Sequence, residues 1–263
     1  MSEGWDCHVH VLDASASSRS GHYEPVDRPL KEIEAVSRAH GVGHLVLVQP
    51  SVYGTDNSVM LGALSVTPGR HRGVAVVADD VVDADLEAMH ALGVRGVRFN
   101  LVSPVGETGQ PSHRFAALSP RLLRLGWHVQ WYARAHELPK IEELHRHSGL
   151  TCVLDHLAGF EAGVARDGAA WDAVKALAGQ GAWLKLSGWY RLGAQEPYTA
   201  LIPHIQRLAG LFGKHLLWGS DWPHTLFASG ELPSYAGTWQ PVVDALGPVA
   251  ARALRLNRPA IYR

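Results

Sequence analysis

Two short motifs at opposite ends of the sequence carry the side chains best suited to hydrolysis. The first is Asp6-Cys7-His8-Val9-His10, and the second is Trp218-Gly219-Ser220-Asp221-Trp222-Pro223-His224. A β-strand sends alternate side chains to the same face, so His8 and His10 are predicted to point together. Two imidazoles and a carboxylate can bind a metal ion, polarise a carbonyl group or remove a proton from water. This combination predicts a hydrolase.

Each of these side chains also has a structural alternative, because histidines can be satisfied inside a core and an aspartate can cap a helix. Capping by Asp221, which Pro223 would suit, leaves the paired histidines unexplained. His156 follows another apolar segment and can join the set. We therefore predict that His8, His10, His156 and Asp221 are the catalytic residues.

Eight short apolar segments must position these groups, and most of them are followed by a segment with helical periodicity. The predicted strands are 5–10, 43–49, 73–77, 94–99, 127–132, 151–155, 182–187 and 215–220. They are rich in Val, Leu and Ile, as parallel strands are when both faces of the sheet are covered. The count and the length of 263 residues favour the α/β class and a single (β/α)8 TIM-type barrel domain over residues 1–263. An open doubly wound sheet is the alternative.

The connections between the strands contain the predicted helices and three long polar segments. The predicted helices are Leu30–Ala39, Asp85–Leu92, Pro120–Leu125, Leu138–Ser148, Trp171–Ala178 and Tyr198–Phe212. The long connections, 13–29, 101–119 and 225–238, follow strand ends, which in a barrel lie at the mouth of the active site. We predict that they cover the substrate, with ordinary surface insertions as the alternative.

Composition limits the partners and the compartment. With 24 basic and 25 acidic residues the formal net charge is −1, which provides no long-range attraction to nucleic acid or an anionic membrane. We see no secretory signal and no apolar stretch near the roughly 20 residues of a membrane span. Cys7 and Cys152 are predicted to be core residues in a reducing cytoplasm. A small-molecule substrate is expected, and the nine tryptophans leave a homo-oligomer open.

Polar side chains follow the second and fourth predicted strands. Gln49, Ser51 and Asn57 lie on a turn-forming segment, where they could bind a carbonyl or carboxylate or satisfy the backbone of the turn. Arg98 and Asn100 share one face of strand four. An arginine inside a barrel needs a partner, which is either a substrate carboxylate or an internal aspartate. We predict that all five side chains bind the substrate.

Strands five and seven supply the remaining candidates. Strand five presents His128, Gln130 and Tyr132 on one face, with Gln130 better placed to meet a ligand and His128 a layer below the mouth. Tyr190 and Arg191 follow strand seven and are predicted to bind the substrate.

Lys185 lies within strand seven and shares a face with Ser187. It could be a base with a low pKa, but a structural ion pair is the favoured interpretation.

In this order the motifs resemble the amidohydrolase superfamily, and within it the amidohydrolase-2 branch, which includes the pyrone dicarboxylate lactonases and related lactone hydrolases. The matching segments span nearly the whole chain: 6–10, 46–57, 93–100, 127–130, 154–159, 185–191 and 218–224. The resemblance implies a barrel of amidohydrolase type that hydrolyses a lactone without a metal. Asp221 would then activate water, and three histidines, His8, His10 and His156, would polarise the carbonyl. Substrate carboxylates would be held by Arg98, Arg191, Ser51 and Asn57.

The same four catalytic candidates also form a nitrogen and oxygen ligand set for one zinc or similar divalent ion. Strand five presents Gln130 and Tyr132 at the mouth where metal-dependent relatives add a ligand, and it lacks a lysine for a bridging carbamate. The sequence therefore favours no metal cofactor, with one zinc ion as the alternative.

Two other functions remain open at this stage. One is a metal-dependent decarboxylase of the same superfamily, which places an arginine over the leaving carboxylate. The other is a catalytically silent barrel that binds a ligand and keeps the histidines for structural reasons. Release of carbon dioxide would indicate the decarboxylase, whereas ring opening with proton release would indicate the lactone hydrolase.

Overall fold

The computed structural model describes residues 3–106, 109–165, 167–225, 227 and 232–263. Eight strands form one sheet in sequence order: β1 (Gly4–Val9), β2 (Val42–Val48), β3 (Arg72–Ala75), β4 (Val94–Asn100), β5 (His128–Tyr132), β6 (Cys152–Leu154), β7 (Trp183–Leu186) and β8 (Leu216–Trp218). Consecutive strands pair in parallel, and a parallel bridge between Val9 and Trp222 joins the end of the sheet to its beginning. The predicted (β/α)8 TIM barrel is confirmed.

Helices occupy the connections between the strands. They are α1 (Leu30–Ala39), α2 (Ser58–Ser65), α3 (Asp83–Leu92), α4 (Pro111–Leu125), α5 (Leu138–His145), α6 (Ala169–Gly179), α7 (Ile202–Phe212), α8 (Tyr235–Leu246) and α9 (Pro248–Leu256). The sequence predicts α1 with these bounds and α3, α5, α6 and α7 near theirs. It does not identify α2, which is apolar on nearly all sides, or α8 and α9, which meet at a Gly247-Pro248 break.

The predicted start of α4 is wrong. This helix begins at Pro111 rather than Pro120, so the connection after β4 is shorter than the predicted 101–119. Proline is favoured in the first turn of a helix, which makes either residue a reasonable start. Burial of Phe115 and Leu118 stabilises the earlier turns. The predicted connection 225–238 is also too long, because α8 already begins at Tyr235. Its residues 226 and 228–231 lie outside the described part of the chain.

One apolar cluster lies inside the barrel, below the mouth. It contains side chains from strands on opposite sides of the sheet, such as Val46 of β2, Val153 of β6 and Trp183 of β7. Such strands can share a cluster only across the interior of a closed sheet. Tyr262, near the carboxyl terminus, packs in the same cluster and closes the floor. The reactive side chains are therefore confined to the opposite, carboxyl-terminal end.

Both cysteines are buried and free, as the sequence predicts, and burial raises the pKa of each thiol. No helix within the described ranges combines the length and the apolar composition that a membrane span requires.

Candidate active site

The side chains of His8, His10, His156 and Asp221 meet at the carboxyl end of the barrel. Asp221 Oδ1 lies 3.6 Å from His8 Nε2 and 3.5 Å from His10 Nε2. The ring of His8 is centred 4.8 Å from that of His156 and 5.0 Å from that of His10. All four side chains are buried. Residues remote in the sequence thus form one cluster beneath the mouth.

A buried carboxylate joins the two motifs that supply most of this cluster. Asp6 Oδ1 accepts backbone N–H bonds from His8 (3.2 Å) and Ser220 (3.0 Å), and Oδ2 accepts the hydroxyl of Tyr235 (2.9 Å). Burial is the main cause that raises the pKa of Asp6 to about 6. The backbone N–H of Asp221 also donates to the carbonyl of His8 at 2.9 Å. These bonds fix the end of β1 against the segment after β8.

Two glycines allow the backbone to approach the histidines. A Cβ atom at Gly219 would lie 2.5 Å from Cβ of His8, and one at Gly188 would lie 2.3 Å from Nδ1 of His156. Gly188 also has a φ of +62°, which glycine adopts without steric cost. The segments after β7 and β8 can therefore pack directly against the histidine side chains.

The two oxygens of Asp221 have different surroundings. Oδ2 accepts the hydroxyl of Tyr190 at 2.7 Å and Nε of Arg191 at 2.6 Å. Burial alone would raise the pKa of Asp221, but the charge of Arg191 and the neighbouring histidines hold it well below its usual range. Oδ1 accepts no hydrogen bond from the described residues. Asp221 is thus an ionised carboxylate with one oxygen anchored and the other facing the histidines.

The histidines of this cluster are neutral. Burial is the main cause that lowers the pKa of His10 and His156, the latter to about 3. His10 Nδ1 lies 2.8 Å from the carbonyl oxygen of Val48, which can only accept, so this nitrogen carries the proton and Nε2 carries a lone pair. His156 Nδ1 lies 3.0 Å from Oγ of Ser187. The Val48 carbonyl therefore sets the polar atom that His10 presents to the centre, whereas the Ser187 hydroxyl, which can donate or accept, allows either proton position in His156.

A layer of buried charges lies below the histidines. Asp155 Oδ2 accepts Nε of Arg98 and Nε2 of Gln130, each at 3.0 Å. Lys185 Nζ donates to Oε1 of Gln130 at 2.7 Å and lies 3.3 Å from Asp155 Oδ1 and from His8 Nδ1. Burial alone would raise the pKa of Asp155, but Lys185, His8 and Arg98 hold it well below its usual range. The predicted structural ion pair of Lys185 is present.

Two neighbouring cavities open above the cluster. The smaller, of about 130 Å³, is lined by residues that include His10, Arg98, Tyr132 and Arg191. The larger, of about 340 Å³, extends towards the ends of β2, β3 and β4. The two cavities share three lining residues, Ser51, Arg98 and Asn100. Of the clustered side chains, His10 lines the smaller cavity, and His8, His156 and Asp221 lie behind it, fully buried.

The predicted substrate-binding residues fall into two groups. Ser51, Arg98, Asn100 and Arg191 line the smaller cavity. The other four hydrogen-bond to protein groups. Gln49, which lines the larger cavity, and Asn57 hold the segment after β2, Gln130 lies in the charged layer, and Tyr190 anchors Asp221. Direct substrate contact stays a prediction for all eight, and the geometry favours it for the first group.

Tyr132 and Asp155 receive no role in the sequence analysis, and Tyr23 is covered there only as part of the connection 13–29. Tyr23, from the connection after β1, lines the smaller cavity with Tyr132 and hydrogen-bonds to Thr225. Asp155 is the internal partner of Arg98 that the sequence left open. Its position at the end of a predicted strand, next to His156, is the signal that could have identified it.

The donor set at the site fits a single divalent ion as well as a substrate. His8, His10 and Asp221 offer ligand atoms within 4.8 Å of one another, and so do His8, Asp155 and His156. Nε2 of His8 and of His156 and Oδ1 of Asp221 are buried without a hydrogen-bond partner in the described structure. Unpaired buried polar atoms of this kind require a partner in the working protein.

Comparison with known proteins gives consistent matches. The sequence profile of the family described as amidohydrolase matches residues 5–242. A 2-pyrone-4,6-dicarboxylate hydrolase from Comamonas testosteroni is 31% identical over 233 residues, 83% of this chain and 76% of that protein. A 4-sulfomuconolactone hydrolase from Rhizobium radiobacter is 27% identical over 226 residues, 84% of this chain and 76% of that protein.

Solved structures match over almost the whole chain. A Pseudomonas putida protein, provisionally described as a 2-pyrone-4,6-dicarboxylic acid hydrolase, superposes with a TM-score of 0.86 at 31% identity, covering 97% of this chain and 94% of its own. An amidohydrolase from Burkholderia multivorans with bound zinc superposes with a TM-score of 0.70 at 20% identity, covering 97% and 96%. The second match shows the fold alone.

Proposed function

The chain belongs to the amidohydrolase family, and from this premise we propose that it is a hydrolase that opens a small carboxylated lactone with a water activated by Asp221. The observation that supports this most is the set of three buried, unpaired atoms at the site: Asp221 Oδ1, His8 Nε2 and His156 Nε2. A proton acceptor and two ring nitrogens around one space suit a water and a carbonyl oxygen. A stable fold would otherwise pair them.

The proposed reaction uses these groups in turn. Asp221 Oδ1 accepts a proton from water while the water oxygen attacks the lactone carbonyl carbon. An N–H group from the histidines donates to the carbonyl oxygen, which becomes an oxyanion in the tetrahedral intermediate. The bond between that carbon and the ring oxygen then breaks, and the proton held by Asp221 passes to the leaving oxygen. The carboxylic acid formed at that carbon releases its proton to solvent, so the product contains a new carboxylate.

The mouth supports an anionic substrate. Arg98 and Arg191 line the smaller cavity together with Tyr132, with their guanidinium carbons 5.2 Å and 5.8 Å from its ring centre. Arginine binds carboxylates with paired, charge-assisted hydrogen bonds. The relatives named for pyrone dicarboxylate and sulfomuconolactone act on anionic lactones, so we take these two compounds as the first substrates to test.

We propose that this hydrolysis requires no metal. His8, His10 and Asp221 could hold one divalent ion, which when bound would supply Lewis acidity and lower the pKa of a bound water. However, the charge of Asp221 is already compensated by Arg191, and that of Asp155 by Lys185 and Arg98. Protein treated with a chelator and shown to be metal-free by elemental analysis should keep its activity. Loss of activity that added zinc restores would refute this part.

The substrate proposal is tested by comparing charged and neutral lactones. Proton release near pH 8 is followed for 2-pyrone-4,6-dicarboxylate and for its diamide, which keeps the ring and the size but removes the charge. The acid should have a kcat/KM higher by about 10- to 150-fold, since a hydrogen bond to a charged group contributes about 1.5–3 kcal/mol. Equal values would contradict the role of the arginines, and release of carbon dioxide would indicate a decarboxylase instead.

A further inference from the structure

The paired histidines of β1 have different partners behind their rings. His10 Nδ1 faces the carbonyl oxygen of Val48 at 2.8 Å, whereas His8 Nδ1 faces Nζ of Lys185 at 3.3 Å. A carbonyl oxygen only accepts hydrogen bonds, and an ammonium group only donates them. Nδ1 of His10 therefore faces a hydrogen-bond acceptor, whereas Nδ1 of His8 faces a hydrogen-bond donor.

The surroundings of Lys185 support donation to His8. Its ammonium group has three protons and three neighbours: Gln130 Oε1 at 2.7 Å, Asp155 Oδ1 at 3.3 Å and His8 Nδ1 at 3.3 Å. If His8 carried its proton on Nδ1, that N–H would face the ammonium and one ammonium proton would lose its acceptor. With the side chain wholly buried, such a loss would be costly.

Asp155 is the competing partner for His8. Its Oδ1 lies 3.3 Å from His8 Nδ1, close enough to accept a proton from that nitrogen. However, this oxygen lies equally close, at 3.3 Å, to Nζ of Lys185, whose ammonium group supplies its counter-charge. Its other oxygen is occupied by Arg98 and Gln130. The geometry thus favours Lys185 over Asp155 as the group that sets the proton position in His8.

We propose that Lys185 is a positioning residue that holds His8 with its proton on Nε2, so that His8 and His10 present opposite groups to the substrate. This proposal rests on the proposed function, and it gives the two histidines different roles in the reaction. His8 donates to the lactone carbonyl oxygen, and the lone pair of His10 Nε2, 3.5 Å from Asp221 Oδ1, accepts a hydrogen bond from the attacking water.

The contact between Lys185 and His8 also bears on whether His8 can bind a metal ion. A histidine that binds a metal through Nε2 carries its proton on Nδ1 and usually donates it to a carboxylate or carbonyl behind the ring. Asp155 could receive such a proton if Lys185 did not donate to His8. We infer that Lys185 directs His8 away from metal binding and towards hydrogen-bond donation.

The proton position can be measured in the unaltered protein. Nitrogen-15 NMR of histidine-labelled protein at pH 7.5 distinguishes protonated from unprotonated ring nitrogens, and comparison with His8→Gln and His10→Gln identifies the two residues. We expect the proton on Nε2 of His8 and on Nδ1 of His10. A proton on Nδ1 of His8 would overturn the proposal. This result does not depend on any substrate, so it stands or fails separately from the lactone hydrolase proposal.

Substitution tests the consequence for catalysis. Lys185→Met keeps much of the side-chain length and removes the donor, so the proton of His8 should move to Nδ1 and face Asp155. We expect kcat to fall by about 10²- to 10³-fold, as for loss of one oxyanion donor, with KM nearly unchanged and a higher affinity for Zn²⁺. Lys175→Met, at an exposed lysine of α6 paired with Asp172, is the control and should leave all three values unchanged.

An unchanged kcat and an unchanged His8 spectrum in folded Lys185→Met would refute the proposal. A change in KM alone would also refute it, because it would indicate a role in substrate binding. If the variant does not fold, the spectrum of the unaltered protein decides.

Discussion

Replacing Asp221 by asparagine should separate the structural and chemical roles of this carboxylate. Asparagine keeps an oxygen that can accept the Tyr190 hydroxyl, but it removes the negative charge that pairs with Arg191 at 2.6 Å. The Asp221 side chain is fully buried and that of Arg191 is 9% exposed. The substitution therefore leaves a buried guanidinium without its counter-charge.

The size of the effect follows from that burial. Removing one partner of a buried ion pair costs about 3–5 kcal/mol, because the remaining charge is uncompensated. We expect Asp221→Asn to lower the free energy of unfolding by this amount, and Asp221→Asn combined with Arg191→Met to recover most of it. The control is Glu161→Gln, which breaks the exposed pair of Arg134 and Glu161, also close at 3.0 Å. That change should cost about 1 kcal/mol or less.

Activity should behave differently from stability. Because general-base catalysis contributes about 10²- to 10⁴-fold, both Asp221→Asn and the double variant should lose kcat by that factor. Urea unfolding gives the stability, and lactone hydrolysis per folded molecule gives the rate. Recovery of activity in the double variant would show that the single variant fails because the charge of Arg191 is uncompensated, and not because a general base is missing. A single variant as stable as the unaltered protein would refute the reasoning about the buried pair.

Two further predictions concern the supports of the site. Gly188→Ala and Gly193→Ala both place a side chain at a positive φ, +62° and +67°, and each should cost about 1–2 kcal/mol. Only Gly188→Ala would press on His156, since nothing lies within 4 Å of a Cβ at Gly193. Hydrolysis should therefore fail only in Gly188→Ala. An equal loss of hydrolytic activity in both variants would contradict this. Asp6 holds its proton more tightly when folded, because burial raises its pKa from 3.8 to about 6. Its contribution to stability should therefore fall by about 3 kcal/mol in total as pH rises from about 3 to about 7, most steeply between the two pKa values, and stay constant above. Urea unfolding gives the free energy of unfolding at each pH for the unaltered protein and for Asp6→Asn. The difference between the two should shrink as pH rises, and a difference that does not change with pH would contradict the prediction.

The barrel is predictable from the sequence because its strands are continuous apolar segments. All eight predicted strands lie within a few residues of the observed ones, since burial on both faces leaves little choice of residue type. The predictions fail where local sequence is ambiguous. Pro111 and Pro120 can each begin a helix, and only the packing of Phe115 and Leu118 on the barrel decides between them.

The convergence of the four catalytic candidates is predictable from the sequence, but their contacts are not, and their catalytic roles stay a prediction. His8, His10, His156 and Asp221 could be named because strand ends of a barrel converge. The sequence could not show that Arg98 pairs with Asp155, since that bond joins residues 57 positions apart whose side-chain directions depend on the twist of the sheet. Nor could it show which nitrogen of each histidine faces a donor, because Lys185 is 177 positions from His8.

Counting the charges around the histidines explains how a nearly neutral protein could attract an anionic substrate. The buried layer and the mouth contain three cations, Arg98, Lys185 and Arg191, and two anions, Asp155 and Asp221. Since burial keeps His10 and His156 neutral, the site has an excess of one positive charge. One substrate carboxylate would balance it. Hydrolysis adds one carboxylate to those of the substrate, which increases the negative charge in a buried site, and this repulsion should favour release of the product.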